Sequence, residues 1–336
     1  MAKLLKVSIA SGVMDSVYGK SQYPIMMFLE KKAEAYEAQS VIDSVFNMEK
    51  SKHFGEKVSG MTSFDAFDVV PEGGAYPKDT IEEGFSKNFE HVTVKKSFPL
   101  TQELVEDANL INFKKQPAGF VGAYYRTREK LGAALFGAAI QGNSSIGVLN
   151  HNFSALGADG VGLFNTGHTS ATGEYQNQSN RYTNAFSDGA LGLVESAMQD
   201  YRDDNGNVLG IVPDTIIIPN DAPLKKAVFA AIGADKDPDT ANNGFNYHFG
   251  RWNVIVWQYL NQFLGTETAP WIVTSSQYNQ EAGGAIWFDR VPLEIRSYID
   301  ENTDDNIWKG RARFSAGFND WRFAAVGGVA SGTTLS

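Results

Sequence analysis

Apolar and polar positions along the chain change period several times, and each change marks a different element. In "EKKAEAYEAQSVIDSVFNM", Ala38, Val41, Ile42, Val45 and Met48 recur at helical spacing while Glu and Lys fill the other face. This predicts one helix over about 30–48, packed on its own domain or, alternatively, on a neighbouring chain. From about Phe54 to Phe98 the period falls to two. "MTSFDAFDVV" and "FEHVTVKKSF" alternate on either side of a turn built from Pro71, Gly73, Gly74 and Pro77, which predicts a long β-hairpin. Its strands carry few consecutive apolar residues, and a two-stranded hairpin alone is marginal in water, so it needs outside support.

Helical spacing returns in "FPLTQELVEDANL", a short predicted helix with Thr101 as N-cap and Glu103 and Glu106 in its first turns. After Pro117, Val121, Tyr125, Arg128, Leu131, Leu135 and Ala139 share one face of a longer helix capped by Gly142. About 24 residues at 1.5 Å rise give a rod of roughly 36 Å. Gly122, Gly132 and Gly137 inside it each cost about 1 kcal/mol relative to Ala, which points to close backbone approach by a packed neighbour.

Residues 143–184, rich in Gly, Ser, Thr and Asn, read as an irregular surface excursion. "SDGALGLVESAMQDY" predicts a helix with Ser187 as N-cap and a stripe of Leu191, Val194, Met198 and Tyr201, closed by "DDNGN". "TIII" is apolar enough for a strand covered on both faces. Asp221 caps the following helix, whose predicted stripe is Leu224, Ala227, Val228 and Ala231, with Gly233 at its end. After the polar loop "ADKDPDTANNGFNYHFG", "WNVIVW", "WIVTS", "AIWFD" and "LEIRSYI" read as strands, and "WKGRARFSAGFNDWRFAAVGG" as a terminal hairpin. The fold class is therefore α+β: an arm before about Pro24, a helix, a hairpin, a long helix, a mixed α/β region and β return strands.

Composition narrows the function. The 336 residues are 43% hydrophobic, 20% charged and 12% aromatic, ample for a core. A net charge of −10 argues against binding nucleic acid by phosphate neutralisation. The absence of cysteine excludes disulfides, thiolate nucleophiles and Cys-based metal sites. The first residues lack the apolar core of a secretory signal, and no run of about 18 apolar residues spans a bilayer, so a soluble cytosolic product without a membrane partner is expected.

Candidate chemistry is sparse. "GVMDSVYGKS" has six residues between Gly12 and Gly19 where a phosphate loop needs four. "ADGVGLFN" has Asn165 where a dinucleotide fingerprint needs glycine, and "YRDDNGN" has Tyr201 at the first calcium-ligand place. His53, His91, His151, His168 and His248 show no i, i+4 zinc pairing and read as loop or surface residues. Asp289, Glu294, Asp300 and Glu301 offer only generic carboxylates. Lys95, Lys96, Arg126 and Arg128 form small basic clusters, read as a solvated face or as ion-pair partners for an acidic neighbour. The turn from Pro219 to Pro223 needs only a cap and two prolines. No catalytic, metal or cofactor site is expected, and the chain is read as a non-enzyme.

Four stretches carry a resemblance. "VTVKKSFPLTQELVED", "LGAALFGAAIQGN", "PDTIIIPNDAPLKKAV" and "ARFSAGFNDWRFAAVGG" resemble, in order and texture, the major capsid protein of tailed bacteriophages with the Hong Kong-type fold, most like the Mu-type major head subunit. The resemblance covers about residues 30–330. It implies an N-terminal arm and helix over 1–53 and an extended hairpin loop over 54–98. A peripheral domain with spine helix and excursion would take 99–185, an axial domain 186–295, and peripheral return strands 296–336. It further implies self-assembly as pentamers and hexamers into an icosahedral shell around double-stranded DNA, without sequence-specific contacts. Scaffold, portal and decoration proteins are further implied partners, in the host cytoplasm and then in the virion. Phe67, Pro71, Gly73, Gly74, Tyr76, Lys95, Arg126 and Arg128 are the expected assembly contacts. Two alternatives stand beside it. An encapsulin-like compartment would hold enzymes in place of a genome, and a carbohydrate-binding or carbohydrate-active protein would be a monomer with an aromatic groove.

Overall fold

The computed structural model describes residues 5–7, 31–62, 64, 66–78, 83–101, 110–173, 175–233, 246–267, 269–303 and 305–335. The arm before Pro24 lies outside the described residues except for 5–7, and so do the short helix expected over 102–109 and most of the polar loop at 234–245.

Two sheets and one long helix set the architecture. In the first sheet the central strands are β11 (Ala285–Ile299) and β12 (Asn306–Phe318), antiparallel to each other. β5 (Val92–Leu100) flanks β12, while β1 (Leu5–Val7) and β2 (Asn47–Lys50) run parallel to different parts of β11. β12 follows period two, with Trp308, Gly310, Ala312 and Phe314 buried and Lys309 and Arg311 exposed. "AIWFD" and "LEIRSYI" are one strand, not two. The ladder is irregular between Asp289 and Glu294, where Pro292 supplies no donor.

The second sheet has the order β13 (Ala324–Gly327), β10 (Trp271–Thr274), β8 (Thr215–Pro219), β9 (Asn253–Trp257). Every residue of β8 is buried, as its unbroken apolar run requires. β12 and β13 stand in different sheets, so the expected terminal hairpin does not form; its two halves find partners far away in sequence.

The helix Leu110–Gln141 lies between these sheets. It runs through Pro117 instead of starting there, because loss of one backbone donor is outweighed by the turns on either side. Residues 131–140 are buried on every face. Phe136 joins the layers, its ring centroid 5.7 Å from Trp257 of β9 and 5.0 Å from Phe318 of β12. The glycines mark close approach: a side chain at Gly132 would overlap Ile42 and Phe46, and one at Gly137 would meet Phe263 of the 3-10 helix Gln258–Phe263 at 2.5 Å. Gly142, at φ +75°, closes the helix as expected.

Other local signals hold. Ser187 caps the helix Asp188–Gln199 through Ala190 N, and Asp221 caps Ala222–Gly233 through Leu224 N at 2.9 Å. Ala227 is exposed, however, so the buried stripe of that helix is Leu224, Val228 and Ala231.

Two expectations are corrected by long-range contacts. The helix over 30–48 breaks: residues 31–37 are helical, Ile42–Val45 forms one more turn, and Met48 belongs to β2. The break is fixed from afar, because the Glu129 carboxylate accepts from Ser40 Oγ and Val41 N, both at 2.9 Å. The excursion at 143–184 is irregular apart from the small hairpin of β6 (Ser145–Val148) and β7 (His151–Ser154), but it does not lie on the surface. Leu163, Phe164, His168, Asn180 and Tyr182 are buried. Asn180 Nδ2 donates to Leu163 O and Ala324 O, and its Oδ1 accepts from Asn165 N, so the excursion carries its own polar partners inside.

Gly137→Ala is expected to lower stability by about 1–3 kcal/mol through overpacking against the Phe263 backbone. Gly119→Ala, in open space on the same helix, is expected to raise it by about 0.5–1 kcal/mol. Thermal denaturation followed by circular dichroism compares the two.

Candidate assembly surface

The hairpin is shorter than its alternation suggested. β3 (Gly55–Met61) pairs with β4 (Glu83–Glu90), with Met61 opposite Glu83. "FEHVTVKKSF" divides at His91, its first residues ending β4 and its remainder forming β5 in the main sheet. "MTSFDAFDVV" is mostly not a strand: beyond Met61, the described residues up to Lys78 join no sheet. Alternation specifies an extended backbone, and no partner strand among the described residues completes it.

The base of the hairpin is well anchored. Phe89 packs edge-on against Phe288 at 5.3 Å, with Ile286 and Val58 beside them. His91, which is buried, bridges Ser51 Oγ at 2.7 Å and Ser315 Oγ at 3.0 Å, and burial lowers its pKa. Lys87 Nζ donates to Leu156 O at 2.5 Å, and burial brings its pKa down to about 8. Past this base the large apolar side chains among the described residues are exposed, including Phe64, Phe67, Val69 and Tyr76, and Phe67 and Val69 are fully so. Pro71, Gly73 and Gly74 make the turn, where Gly74 N donates to Pro71 O and Gly73 takes φ +81°. An exposed apolar ribbon of this kind marks an interaction surface.

The basic residues separate. Lys95 and Lys96 are exposed on β5, and Arg126 is exposed on the long helix, its Nε donating to Gly122 O. Arg128 is not on a face that a neighbour can reach. Its side chain is 1% exposed, 3.5 Å from Asp43 and 3.8 Å from Asp289, and lies 4.9 Å over the Trp287 ring. Its acidic partners belong to its own subunit. Burial raises the pKa of both Asp43 and Asp289, while the guanidinium opposes that rise. Glu37 is raised too, by burial and then by Asp43. The neighbouring Glu129, missed in the sequence, uses its other oxygen to accept from Trp257 Nε1 at 3.0 Å. It stands between Arg128 and Lys130, just before the apolar run from Leu131, and in that charged setting nothing local set it apart.

The remaining candidates do not converge. The segment 12–19 lies outside the described residues. His91, His168 and His248 are buried, not surface residues as expected: His168 is 2.6 Å from Asp159 and stacks on Trp321, and His248 accepts from Trp252 Nε1. Asp203 Oδ1 accepts from the backbone of Asn205 and Asn207, which makes "DDNGN" a turn. Glu294 pairs with Arg296 and Asp300 caps its own loop. Among the described residues no cluster of His, Asp and Glu is arranged to hold a metal, and no helix is long and apolar enough to cross a membrane.

Solved structures share this architecture at low identity. The capsid of cyanophage P-SCSP1u aligns over 88% of this chain and 89% of its own, at TM-score 0.52 and 8% identity. The capsid of an empty GTA particle aligns over 87% and 90% at TM-score 0.50 and 11% identity, and a Mycobacterium phage Patience chain over 95% and 90% at TM-score 0.50 and 10% identity. No curated protein matches the sequence. The phage capsid protein family model matches residues 86–327. The chain belongs to the phage capsid protein family: it is a structural protein of a virion shell. These matches do not assign it to the Mu-type branch, and neither the compartment nor the carbohydrate alternative draws support from them.

The charge cluster yields a pH-dependent prediction. Because the folded pKa values of Asp43 and Asp289 lie above the ordinary 3.8, the native state binds more protons than the unfolded chain as pH falls into that range. Arg128→Met removes the cation beside the largely buried Asp289, which keeps only its bond from Trp287 Nε1, and beside the more exposed Asp43, and should cost about 1–3 kcal/mol at pH 7. The deficit should shrink towards pH 5, as those carboxylates take up protons. Urea denaturation at the two pH values measures it.

Proposed function

We propose that this chain is the major shell subunit, and that its copies associate as pentamers and hexamers into an icosahedral shell enclosing double-stranded DNA. The carrying observation is the ribbon of Phe64, Phe67, Val69 and Tyr76, held out on an anchored hairpin with no interior of its own. In this reading the ribbon lies across an adjacent subunit, with Pro71, Gly73 and Gly74 shaping its tip and Lys95 and Arg126 supplying rim charge. The sheet containing β8 forms the axial part near the capsomer centre, and the long helix with β11, β12 and β5 the peripheral part. The net charge of −10 suits a wall that must not grip its DNA, and contacts to it are not sequence-specific. A scaffold, portal and decoration protein are further partners, assembly takes place in the host cytoplasm, and no catalysis is involved.

Replacing residues 62–82 by an Asn-Gly turn joins Met61 directly to Glu83, its cross-strand partner. The variant is expected to remain folded by circular dichroism yet form no shells in negative-stain electron microscopy. Normal shells from it would remove the hairpin from assembly.

A further inference from the structure

A cavity of about 580 Å³ lies between residues 36–41, the long helix around Arg126 and the end of β9. Its walls are aromatic, with Tyr36, Tyr125, Trp257 and Tyr259, and its exposed cation is Arg126. No carboxylate among the described residues pairs with Arg126. Glu129 also lines the cavity, but both its oxygens are occupied by Ser40, Val41 and Trp257.

One border of the cavity is an open strand edge. β9 ends its sheet and, among the described residues, pairs with β8 alone. Its sequence is "NVIVW", with Val254, Ile255 and Val256 half-buried and no charge. Edge strands are ordinarily protected by Lys, Pro or inward charge. β5, the opposite case, carries Lys95, Lys96 and Pro99 along its edge. An apolar edge without these devices, beside an aromatic cleft, is built to be covered by an extended segment.

The hairpin tip has the complementary chemistry. Residues 64–70 read "FDAFDVV", an aromatic and acidic stretch of alternating period. Over 62–78 there are two Asp and one Glu against one Lys. The described residues of 64–70 join no ladder, which leaves them able to add to a strand edge. We infer that the tip of one copy docks in this cleft of a second copy, Phe67 entering the aromatic pocket, Asp68 meeting Arg126, and the 64–70 backbone running along β9. This rests on the reading that copies associate through the hairpin, and it names the surface that receives it.

The chain has no cysteine, which permits a direct test. Shells are assembled from the full chain carrying F67C with Q258C, or F67C with K96C as control, then oxidised and run on a non-reducing gel. A ladder of dimers and larger oligomers with Q258C, absent with K96C and with each single variant, is expected. A ladder confined to the K96C pair, or a fast-migrating internally closed monomer with Q258C, overturns the docking. In parallel, R126E and D68K should each reduce shell yield by roughly tenfold or more, and the double variant should restore it. Shells from R126E at parental yield also overturn it, leaving self-association intact. A cysteine-free parent that stays monomeric at high concentration sinks both readings.

Discussion

Enclosure of the long helix is the constraint on which the rest of the subunit depends. A helix that is apolar all round has no stripe to show to water, so it must be covered on every side. Residues 131–140 meet that condition only because both sheets, the 3-10 helix and the Ile42–Phe46 turn close around them. The last turn needs a further element, and Arg181 provides it, with Nη1 donating to Ile140 O at 2.6 Å. That requirement explains why a polar excursion runs inside the subunit. It arrives with side chains that satisfy the carbonyls at the helix end and with Asn180 to satisfy its own backbone.

The same constraint accounts for the hairpin. With the helix enclosed by other elements, the aromatic side chains of Phe64, Phe67 and Tyr76 stay outside the core and exposed. Burying a Phe or Val side chain is worth about 1.5–3 kcal/mol relative to exposure, and at least four large apolar side chains forgo it here. The Phe89–Phe288 contact, the His91 bridge and Lys87 fix where the ribbon leaves the body without drawing it back. A subunit so arranged is left with free energy that another surface can recover, and its net charge of −10 disfavours recovering it through unspecific collapse.

Much of this was legible where the determining chemistry is local. The Ser187 and Asp221 caps, Gly142, the buried run of β8 and the close approaches at Gly132 and Gly137 each follow from a few adjacent residues. What could not be read was set at a distance. The break at Ser40 depends on Glu129, and the parting of β12 from β13 depends on β5 and β10. Period two in "MTSFDAFDVV" specified an extended chain but not whether a partner strand exists. Arg128 looked like its exposed neighbour Arg126, because charge alone does not distinguish a solvated guanidinium from one held over Trp287 between two aspartates.

Glu129 also links the core to the surface. With one oxygen on the 40–41 backbone turn and the other on Trp257, it holds two walls of the cleft at fixed spacing. The receiving site is thereby ordered before anything enters it, which lowers the cost of binding on that side. The tip carries the opposite burden, since fixing an extended segment costs about 1–2 kcal/mol per residue in backbone entropy. A rigid cleft and a loosely constrained ribbon therefore make a weak pair in isolation. In the proposed assembly each subunit would give one ribbon and receive another, and the entropic cost of bringing partners together falls as neighbours are already in place. Weak contact between free subunits and strong cohesion in the completed shell then follow from the same geometry.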